Sequence, residues 1–387
     1  MSGRKRVLFY VQHLLGIGHL KRAATITRAA QAAGLDVTLV SGGNPVPGLA
    51  LGGARLIQLP PLRAADKYFK ILLDEHDQEW DDAFKDRRRD LLLGAYGEIR
   101  PHVIVTELYP FGRRQLRGEI LALLDAARTS TPRPIIACSV RDILVEPPKP
   151  ERITEMLDRI ESLYDAVMVH GDPELIPFDA TFPPAEKISG KLHYTGYVVD
   201  RSGVAGPDQP GAGEVLVSAG GGAVSETLFR AAIEARPLTS LSDVTWRILA
   251  GPALPETEFQ SIAATAPEGV IVERARPDFT SLLANCALSI SQGGYNTVME
   301  VMAARIRGVI VPYAGGLETE QTLRANLLRE YAALQVLDEN AVTATAIAEA
   351  VEAALAGPTA VATKLDTGGA EASARLLAEL AEGCAAP

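Results

Sequence analysis

The chain has 387 residues, of which 47% are hydrophobic, 22% charged and 5% aromatic. This composition supports a large buried core and argues against a disordered chain, and the length favours two domains or one large one. The net charge of 38 − 48 = −10 argues against a general nucleic-acid-binding protein, so we expect no nucleic-acid partner. The three cysteines lie far apart without metal-ligand spacing, which predicts a reduced cytoplasmic protein without a metal site: Cys138, Cys286 and Cys384.

Strand-like apolar runs alternate with helical patterns from the N-terminus onward. In the first half, helices are predicted over residues 20–33 and 114–127, and strands over residues 6–11, 36–41, 55–59, 102–106, 134–139 and 165–170. The first apolar run is too short for a signal peptide, and no segment reaches the ~18 apolar residues that a membrane span needs. The alternation is typical of a parallel sheet with crossover helices.

The pattern stops at a Gly/Pro-rich stretch, residues 202–213, and then starts again. A helix is predicted over residues 225–234, and strands over residues 214–218, 244–250, 270–273, 287–290, 308–311 and 334–337. We therefore predict a first domain at 1–201, a linker at 202–213, a second domain at 214–369 and a final helical segment at 370–387. The predicted class is α/β, with two Rossmann-like domains.

The first strand runs into a loop that ends in Gly16, Gly18 and His19. The two glycines permit a tight turn into the next helix, but a third glycine of the dinucleotide fingerprint is missing, so no nicotinamide cofactor is expected. A neutral histidine at this helix entrance could accept a proton from an attacking hydroxyl group. Alternatively, His19 only shapes the loop by hydrogen bonding.

Two further strands run into glycines that precede a helix. The first is followed by Gly220, Gly221 and Gly222, and the second by Gln292, Gly293 and Gly294. Such glycines allow a backbone to approach a ligand, and the following helix N-terminus offers unpaired N–H groups to a phosphate. Glu300 follows about one helical turn later, where it could bind ribose hydroxyls. The alternative is a plain strand-to-helix turn.

Three segments of the second half resemble glycosyltransferase family 28, the MurG-like enzymes. They are SQGGYNTVME at 291–300, GVIVPY at 308–313 and ETEQTLRA at 318–325. The resemblance implies a GT-B architecture, in which two Rossmann-like domains face a cleft and the last helix crosses back to the first domain. It also implies a nucleotide-sugar site, with UDP as the expected nucleotide. The donor-binding residues would be Gly18, Gly220, Gly221, Gly222, Gln292, Gly293, Gly294, Asn296, Thr297, Glu300, Glu318, Glu320 and Gln321. With Gly16–His19 and residues 109–114, the motifs resemble a separate branch of predicted bacterial glycosyltransferases.

Residues after two other strands of the first half are candidates for the acceptor side. Parallel strands present their carboxyl ends at one sheet edge, so these residues should lie near His19. Glu107 or Asp142 could orient His19 as a carboxylate partner. Arg113, Arg114, Ser139 and Arg141 could bind an acceptor or the departing diphosphate, with surface salt bridging as the alternative. In the MurG-like enzymes, which act in peptidoglycan synthesis, the acceptor motif does not match residues 139–144 of this chain. A different acceptor is therefore expected.

The charged segment 66–90 could be a lid, an amphipathic stretch that touches a membrane beneath a lipid-linked acceptor, or a pair of surface helices. Peripheral location at the inner membrane face is therefore an expectation. No Asp-x-Asp pair is present to hold a metal–diphosphate complex. The first functional hypothesis is an inverting, metal-independent transferase that moves a hexose-type sugar such as N-acetylglucosamine to a small-molecule, glycan or lipid-linked acceptor. A nucleotide-sugar epimerase of the same fold and a non-catalytic binding protein remain alternatives.

Overall fold

The computed structural model describes residues 4–66, 69–144, 149–219, 225–252, 254–313, 320–329, 334–357 and 365–384. The chain divides into two compact units. Unit 1 comprises Met1–Val198 and Leu365–Pro387, and unit 2 comprises Val199–Lys364. Each unit contains a parallel sheet with helices, which confirms the predicted α/β class with two Rossmann-like folds.

Unit 1 is built on a seven-stranded parallel sheet of order β3-β2-β1-β6-β7-β8-β9. Its strands are β1 Arg6–Val11, β2 Asp36–Ser41, β3 Arg55–Gln58, β6 Val103–Glu107, β7 Ile135–Arg141, β8 Ala166–His170 and β9 Leu192–Tyr194, with a small hairpin of β4 Arg63–Ala64 and β5 Leu72–Leu73. Its helices are α1 Gly18–Ala32, α2 Asp82–Ile99, α3 Arg117–Thr129 and α4 Pro150–Leu163, joined from the chain's end by α11 Gly369–Glu382. The strand order reverses between β1 and β6, the position at which doubly wound sheets bind ligands.

The central strands of this sheet are buried on both faces, so their side chains alternate between two apolar clusters. From β1, Leu8 and Tyr10 enter the cluster beneath α2 and α3, whereas Val7 and Phe9 enter the cluster beneath α1. Helix α11 packs on α1 through four fully or nearly fully buried side chains spaced three or four residues apart: Ala370, Ala374, Leu377 and Ala381. The start of α11 also approaches the residues after β9 closely, and this contact requires glycine at 369, because a Cβ there would lie 2.3 Å from the Gly196 carbonyl oxygen.

Unit 2 has a six-stranded parallel sheet of order β12-β11-β10-β13-β14-β15. Its strands are β10 Val215–Ala219, β11 Trp246–Ala250, β12 Val270–Arg274, β13 Leu288–Gln292, β14 Gly308–Val311 and β15 Leu334–Val336. Its helices are α5 Ser225–Ala235, α6 Glu256–Ala264, α7 Phe279–Asn285, α8 Tyr295–Ala304, α9 Glu320–Arg329 and α10 Ala344–Ala356. The order reverses between β10 and β13, the two strands that run into glycines.

Two expectations change in the structure. The segment 66–90 is not a pair of surface helices, because α2 begins only at Asp82, after Asp81 caps it by accepting from the Phe84 N–H at 2.7 Å. Residues 202–213, predicted to be a linker, lie in unit 2. There the Asn285 side chain accepts from the Gly206 N–H and donates to the Val204 carbonyl, both at 2.8 Å. None of the helices in the described ranges is long and apolar enough to cross a bilayer.

Candidate active site

His19 and Glu107 meet where the strand order of unit 1 reverses. His19 is the second residue of α1, which follows β1, and Glu107 is the last residue of the neighbouring strand β6. The Nδ1 atom of His19 lies 2.8 Å from Oε1 of Glu107. The histidine side chain is 15% exposed, whereas the carboxylate is fully buried. The structure therefore gives His19 a buried carboxylate partner while its own side chain stays partly exposed.

Arg22 neutralises the buried carboxylate. It follows His19 by three residues, so the two side chains share a face of α1, and its guanidinium donates to the same Glu107 oxygen. Burial alone would raise the pKa of Glu107, but the Arg22 charge and the hydrogen bond from His19 lower that pKa below the ordinary 4.5. Glu107 is therefore ionised and can only accept hydrogen bonds.

His19 is neutral, and its proton lies on Nδ1. Burial and the nearby Arg113 guanidinium lower the pKa of His19 from 6.5 to about 3, although Glu107 acts in the opposite direction. Two groups contact His19 Nδ1: Glu107 Oε1 at 2.8 Å and the Arg22 guanidinium at 3.2 Å. Because the ionised Glu107 cannot donate, the shorter contact assigns an N–H to His19 Nδ1, and Arg22 then donates to Glu107 Oε1. In the neutral ring, Nε2 then carries the lone pair, which is the atom that can accept a proton.

The three candidate arginines have different surroundings. Arg113 is partly buried, and its Nε donates to the Gln12 carbonyl at 2.8 Å. Burial lowers the pKa of Arg113 to about 10, so it remains charged at neutral pH. Arg114 is exposed and pairs with Glu155 at 3.3 Å. Arg141 is the last residue of β7 and is partly buried. Of these three arginines, Arg113 is the one whose charge lowers the pKa of His19.

Two predicted roles need revision. Ser139 was expected to contact an acceptor, but it is fully buried, and its hydroxyl donates to Glu107. Asp142 was an alternative partner for His19, but its carboxylate accepts from the Tyr197 hydroxyl and from the Ile143 N–H, both at 2.9 Å. The contact with His19 is made by Glu107, because β6 is the strand that pairs directly with β1.

In unit 2, the strand–glycine–helix motif places β13, Gly293, Gly294 and α8 in succession. A Cβ at Gly293 would lie 3.0 Å from the Cα of Pro312, so the strand–helix turn packs tightly against the end of β14. Gly294 precedes the first residue of α8, and a Cβ there would have no atom of the described residues within 4 Å. Asn296 and Thr297 occupy the first turn, at the positive end of the helix dipole. Gln292 precedes the glycines, and Glu300 is 8% exposed one turn into the helix.

Two further predicted donor contacts lie at the start of α9. Gln321 accepts from the Tyr313 N–H at 3.0 Å, so its side chain ties α9 to the residues after β14, beside Gly293. Glu320, predicted to read sugar hydroxyls, is 1% exposed and pairs with the fully buried Arg324, whose guanidinium lies 4.9 Å from the Tyr295 ring centre. Its carboxylate therefore has a structural partner that the sequence reasoning missed. The predicted residues Gly220, Gly221, Gly222 and Glu318 lie outside the described residues.

Sequence reasoning also missed Arg22, His170 and Thr195. Arg22 could have been predicted from the sequence, because an arginine three residues after a candidate base lies on the same face of the helix. His170 ends β8 and Thr195 follows β9, and no local pattern marks either one. Across the described residues, no cluster of three or more His, Cys, Asp or Glu side chains has the arrangement of a metal site.

The fold of the whole chain is shared with solved glycosyltransferase structures. The calicheamicin glycosyltransferase superposes with a TM-score of 0.58 at 18% identity, over 97% of this chain and 94% of that one. A spinosyn rhamnosyltransferase in complex with thymidine diphosphate gives 0.59 at 18% identity, over 98% and 96%. MurG of Acinetobacter baumannii gives 0.55 at 15% identity, over 97% and 99%. The fold of this chain is therefore the GT-B fold of these glycosyltransferases.

The sequence of the second half is similar to a known protein family. Residues 215–380 match the model of the glycosyltransferase family 28 C-terminal domain, which confirms the resemblance predicted from the motifs of that half. A curated relative from an Exiguobacterium species is 30% identical over 143 residues. It is a UDP-N-acetylglucosamine–N-acetylmuramyl-(pentapeptide) pyrophosphoryl-undecaprenol N-acetylglucosamine transferase. The match covers 36% of this chain and 39% of that protein's length.

Proposed function

We propose that the chain is an inverting, metal-independent glycosyltransferase that moves a hexose-type sugar, such as N-acetylglucosamine, from a UDP-sugar to an acceptor hydroxyl. The observation that carries this proposal is the pair of His19 and Glu107. A neutral imidazole, with Nδ1–H committed to a buried carboxylate and the lone pair on Nε2, has the arrangement of a general base.

The proposed reaction is a single displacement. His19 Nε2 takes the proton of the acceptor hydroxyl while that oxygen forms a bond to the anomeric carbon. The bond from this carbon to the diphosphate oxygen breaks on the opposite face, so the configuration inverts and the nucleoside diphosphate leaves with the electron pair. The imidazolium that forms is stabilised by Glu107, since the two charges are 2.8 Å apart in a buried site.

The proposed donor site is the N-terminus of α8. Its first-turn N–H groups and the positive end of the helix dipole would stabilise the leaving diphosphate in place of a metal ion. Gln292, Gly293, Gly294, Asn296 and Thr297 would contact the diphosphate, and Glu300 the ribose. UDP is the proposed nucleotide because the curated relative is named for a UDP-sugar. A structural neighbour was solved with thymidine diphosphate, so both nucleotides belong in the test.

On the acceptor side, Arg113 and Arg141 are the proposed contacts nearest the sheet edge, and Arg114 is a more exposed one. Their charge suits an anionic small molecule, a glycan or a lipid-linked acceptor. For a lipid-linked acceptor, we propose a cytoplasmic protein that associates peripherally with the inner membrane face.

The test combines binding and turnover. UDP and thymidine diphosphate are titrated by calorimetry, and UDP release from UDP-N-acetylglucosamine is measured with cell-extract fractions as acceptor source, with and without excess chelator. Stereochemistry of the new bond is read by NMR. Transfer with inversion that survives chelation supports the proposal. Loss of turnover on chelation with recovery by Mg²⁺ contradicts metal independence, and a change of the donor sugar without any acceptor identifies an epimerase instead.

A further inference from the structure

A chain of buried hydrogen bonds extends from Glu107 away from His19. The Ser139 hydroxyl contacts the second carboxylate oxygen, Oε2 of Glu107. The same hydroxyl oxygen lies 2.8 Å from Nε2 of His170, and Nδ1 of His170 lies 2.8 Å from the Thr195 hydroxyl. Ser139 and His170 are fully buried, and Thr195 is 3% exposed. The chain links the ends of β6, β7 and β8 with the residue after β9.

The direction of every proton in this chain follows from the charge of Glu107. An ionised carboxylate only accepts, so the single Ser139 proton points to Glu107. The Ser139 oxygen can then only accept from His170, which places a proton on His170 Nε2. Burial lowers the pKa of His170 from 6.5 to about 3, with Arg22 adding to the effect, so the ring is neutral and Nδ1 accepts from the Thr195 hydroxyl. All donors therefore point towards Glu107.

We infer that Ser139 and His170 are positioning residues that hold Glu107 with one oxygen aimed at His19 Nδ1, and thereby fix His19 in the tautomer whose Nε2 is the acceptor. The expected effect on turnover rests on the proposed function. The tautomers of His19 and His170 can be measured whether or not the protein transfers a sugar. It assigns Ser139 to the carboxylate instead of to the acceptor. Neither residue reaches the solvent, so both act only through Glu107.

The physical reason is that a buried carboxylate needs all its acceptor sites satisfied in order to keep one orientation. Arg22 and His19 share Oε1, which leaves Oε2 to Ser139. Without that donor, the carboxylate can rotate about its Cγ–Cδ bond, and the contact to Nδ1 loosens. A serine hydroxyl that rotates freely would hold the carboxylate only weakly. The His170 N–H fixes the orientation of the Ser139 hydroxyl by donating a hydrogen bond to its oxygen.

The first experiment measures tautomers in the intact protein. Two-bond ¹H–¹⁵N correlation spectra of the ¹⁵N-labelled chain resolve its six histidines. We expect His19 as the Nδ1–H tautomer and His170 as the Nε2–H tautomer at neutral pH, both neutral. The groups facing His170 are Ser139, Thr195, Arg22 and Glu107. In S139A, His19 should show a mixture of both tautomers. A His170 that carries its proton on Nδ1 in the wild type, or an unchanged His19 in S139A, overturns the inference.

The second experiment separates positioning from general stability. Turnover of UDP-N-acetylglucosamine should fall about tenfold in S139A and H170F, with KM for the donor within about twofold. His170→Gln should recover most of kcat, because its amide can donate to Ser139. The matched control is His102→Phe, another buried histidine, which precedes β6 at the opposite sheet edge and accepts from the Arg6 N–H at 3.0 Å. It should lower the melting temperature and leave kcat unchanged.

The two proposals can fail separately. An unchanged kcat in a folded H170F protein, or an equal loss in H102F, contradicts the positioning role while the transferase proposal stands. If the wild type shows the expected tautomers and S139A disturbs them but no sugar is transferred, the positioning inference holds for His19 and the transferase proposal fails.

Discussion

At the residue scale, His19 has one ring nitrogen committed to Glu107 and the other directed away from it. His19→Gln keeps the hydrogen-bonding capacity but removes the base, so we expect turnover to fall by roughly 10²–10⁴-fold. Donor affinity should be nearly unchanged, because the proposed donor contacts lie in unit 2. The comparison variant is H76Q, which alters a 77% exposed histidine side chain. A His19→Gln protein with full turnover would remove His19 from the mechanism.

The pH dependence of turnover follows from the lowered pKa of His19. An unperturbed histidine base would lose activity near pH 6.5, and by pH 5 turnover would be about 30-fold lower. With a pKa of about 3, only about one ring in a hundred is protonated at pH 5, so turnover should be nearly flat between pH 8 and pH 5. Initial rates at constant donor saturation, with folding verified by circular dichroism at each pH, test this. A midpoint near 6.5 would contradict the buried, neutral state.

At the scale of elements, the strand–glycine–helix turn before α8 has two glycines with different surroundings. Gly293→Ala forces a Cβ against the Pro312 backbone, whereas Gly294→Ala places a Cβ in open space with φ at −62°. We expect G293A to lose roughly 1–3 kcal/mol of unfolding free energy, and G294A only a few tenths from the altered helix cap. Urea unfolding measures both. If the diphosphate lies against this turn, both variants should bind UDP more weakly in calorimetry. A G294A protein with wild-type affinity for UDP would contradict this placement.

The first turns of α8 also contain the proposed ribose contact. Glu300→Ala should weaken UDP binding by roughly 1–3 kcal/mol, the cost of losing charged hydrogen bonds. Because Glu300 is 8% exposed, Glu300→Gln is measured beside it to keep the packing. The control is E349A on the exposed face of α10. Calorimetry that shows unchanged UDP affinity in both Glu300 variants would contradict the ribose contact and leave Glu300 with a structural role only.

At the scale of the whole molecule, two buried neutral histidines make stability depend on pH. The native pKa values of His19 and His170 are about 3, below the unfolded value of 6.5. The unfolded chain therefore binds more protons as the pH falls below 6.5, and the free energy of unfolding decreases until the pH reaches the native values. Each of the two histidines should lower the free energy of unfolding by about 2 kcal/mol when the pH falls from 7 to 5.

His170→Gln isolates one of these contributions. The difference in unfolding free energy between pH 7 and pH 5, measured by urea titration, should be about 2 kcal/mol smaller in the variant than in the wild type. The exposed H76Q variant serves as the control and should retain the wild-type difference. An identical pH dependence in H170Q and the wild type would mean that His170 is charged or solvated in the native protein.

Local sequence was sufficient to predict most of the secondary structure and the class of the fold. Apolar runs of four to seven residues become strands because they are buried on both faces of a parallel sheet, and β1 and β2 have the predicted bounds, residues 6–11 and 36–41. The glycine turn before α8 was also predicted, because a strand, two glycines and a helix are contiguous. The motifs of residues 291–325 predicted the similarity to the glycosyltransferase family 28 C-terminal domain for the same reason.

Only the tertiary structure decided which side chains meet. Arg22 and Glu107 are 85 residues apart, and Glu107, Ser139 and His170 lie on three different strands. Whether Glu107 or Asp142 reaches His19 depends on which strand pairs with β1, and no local pattern encodes strand order. Burial then decided the chemistry, because the same imidazole in water would titrate near pH 6.5. The sequence determined the elements and the loop glycines through short-range preferences, whereas the charge state of His19 arises from desolvation and long-range ion pairing.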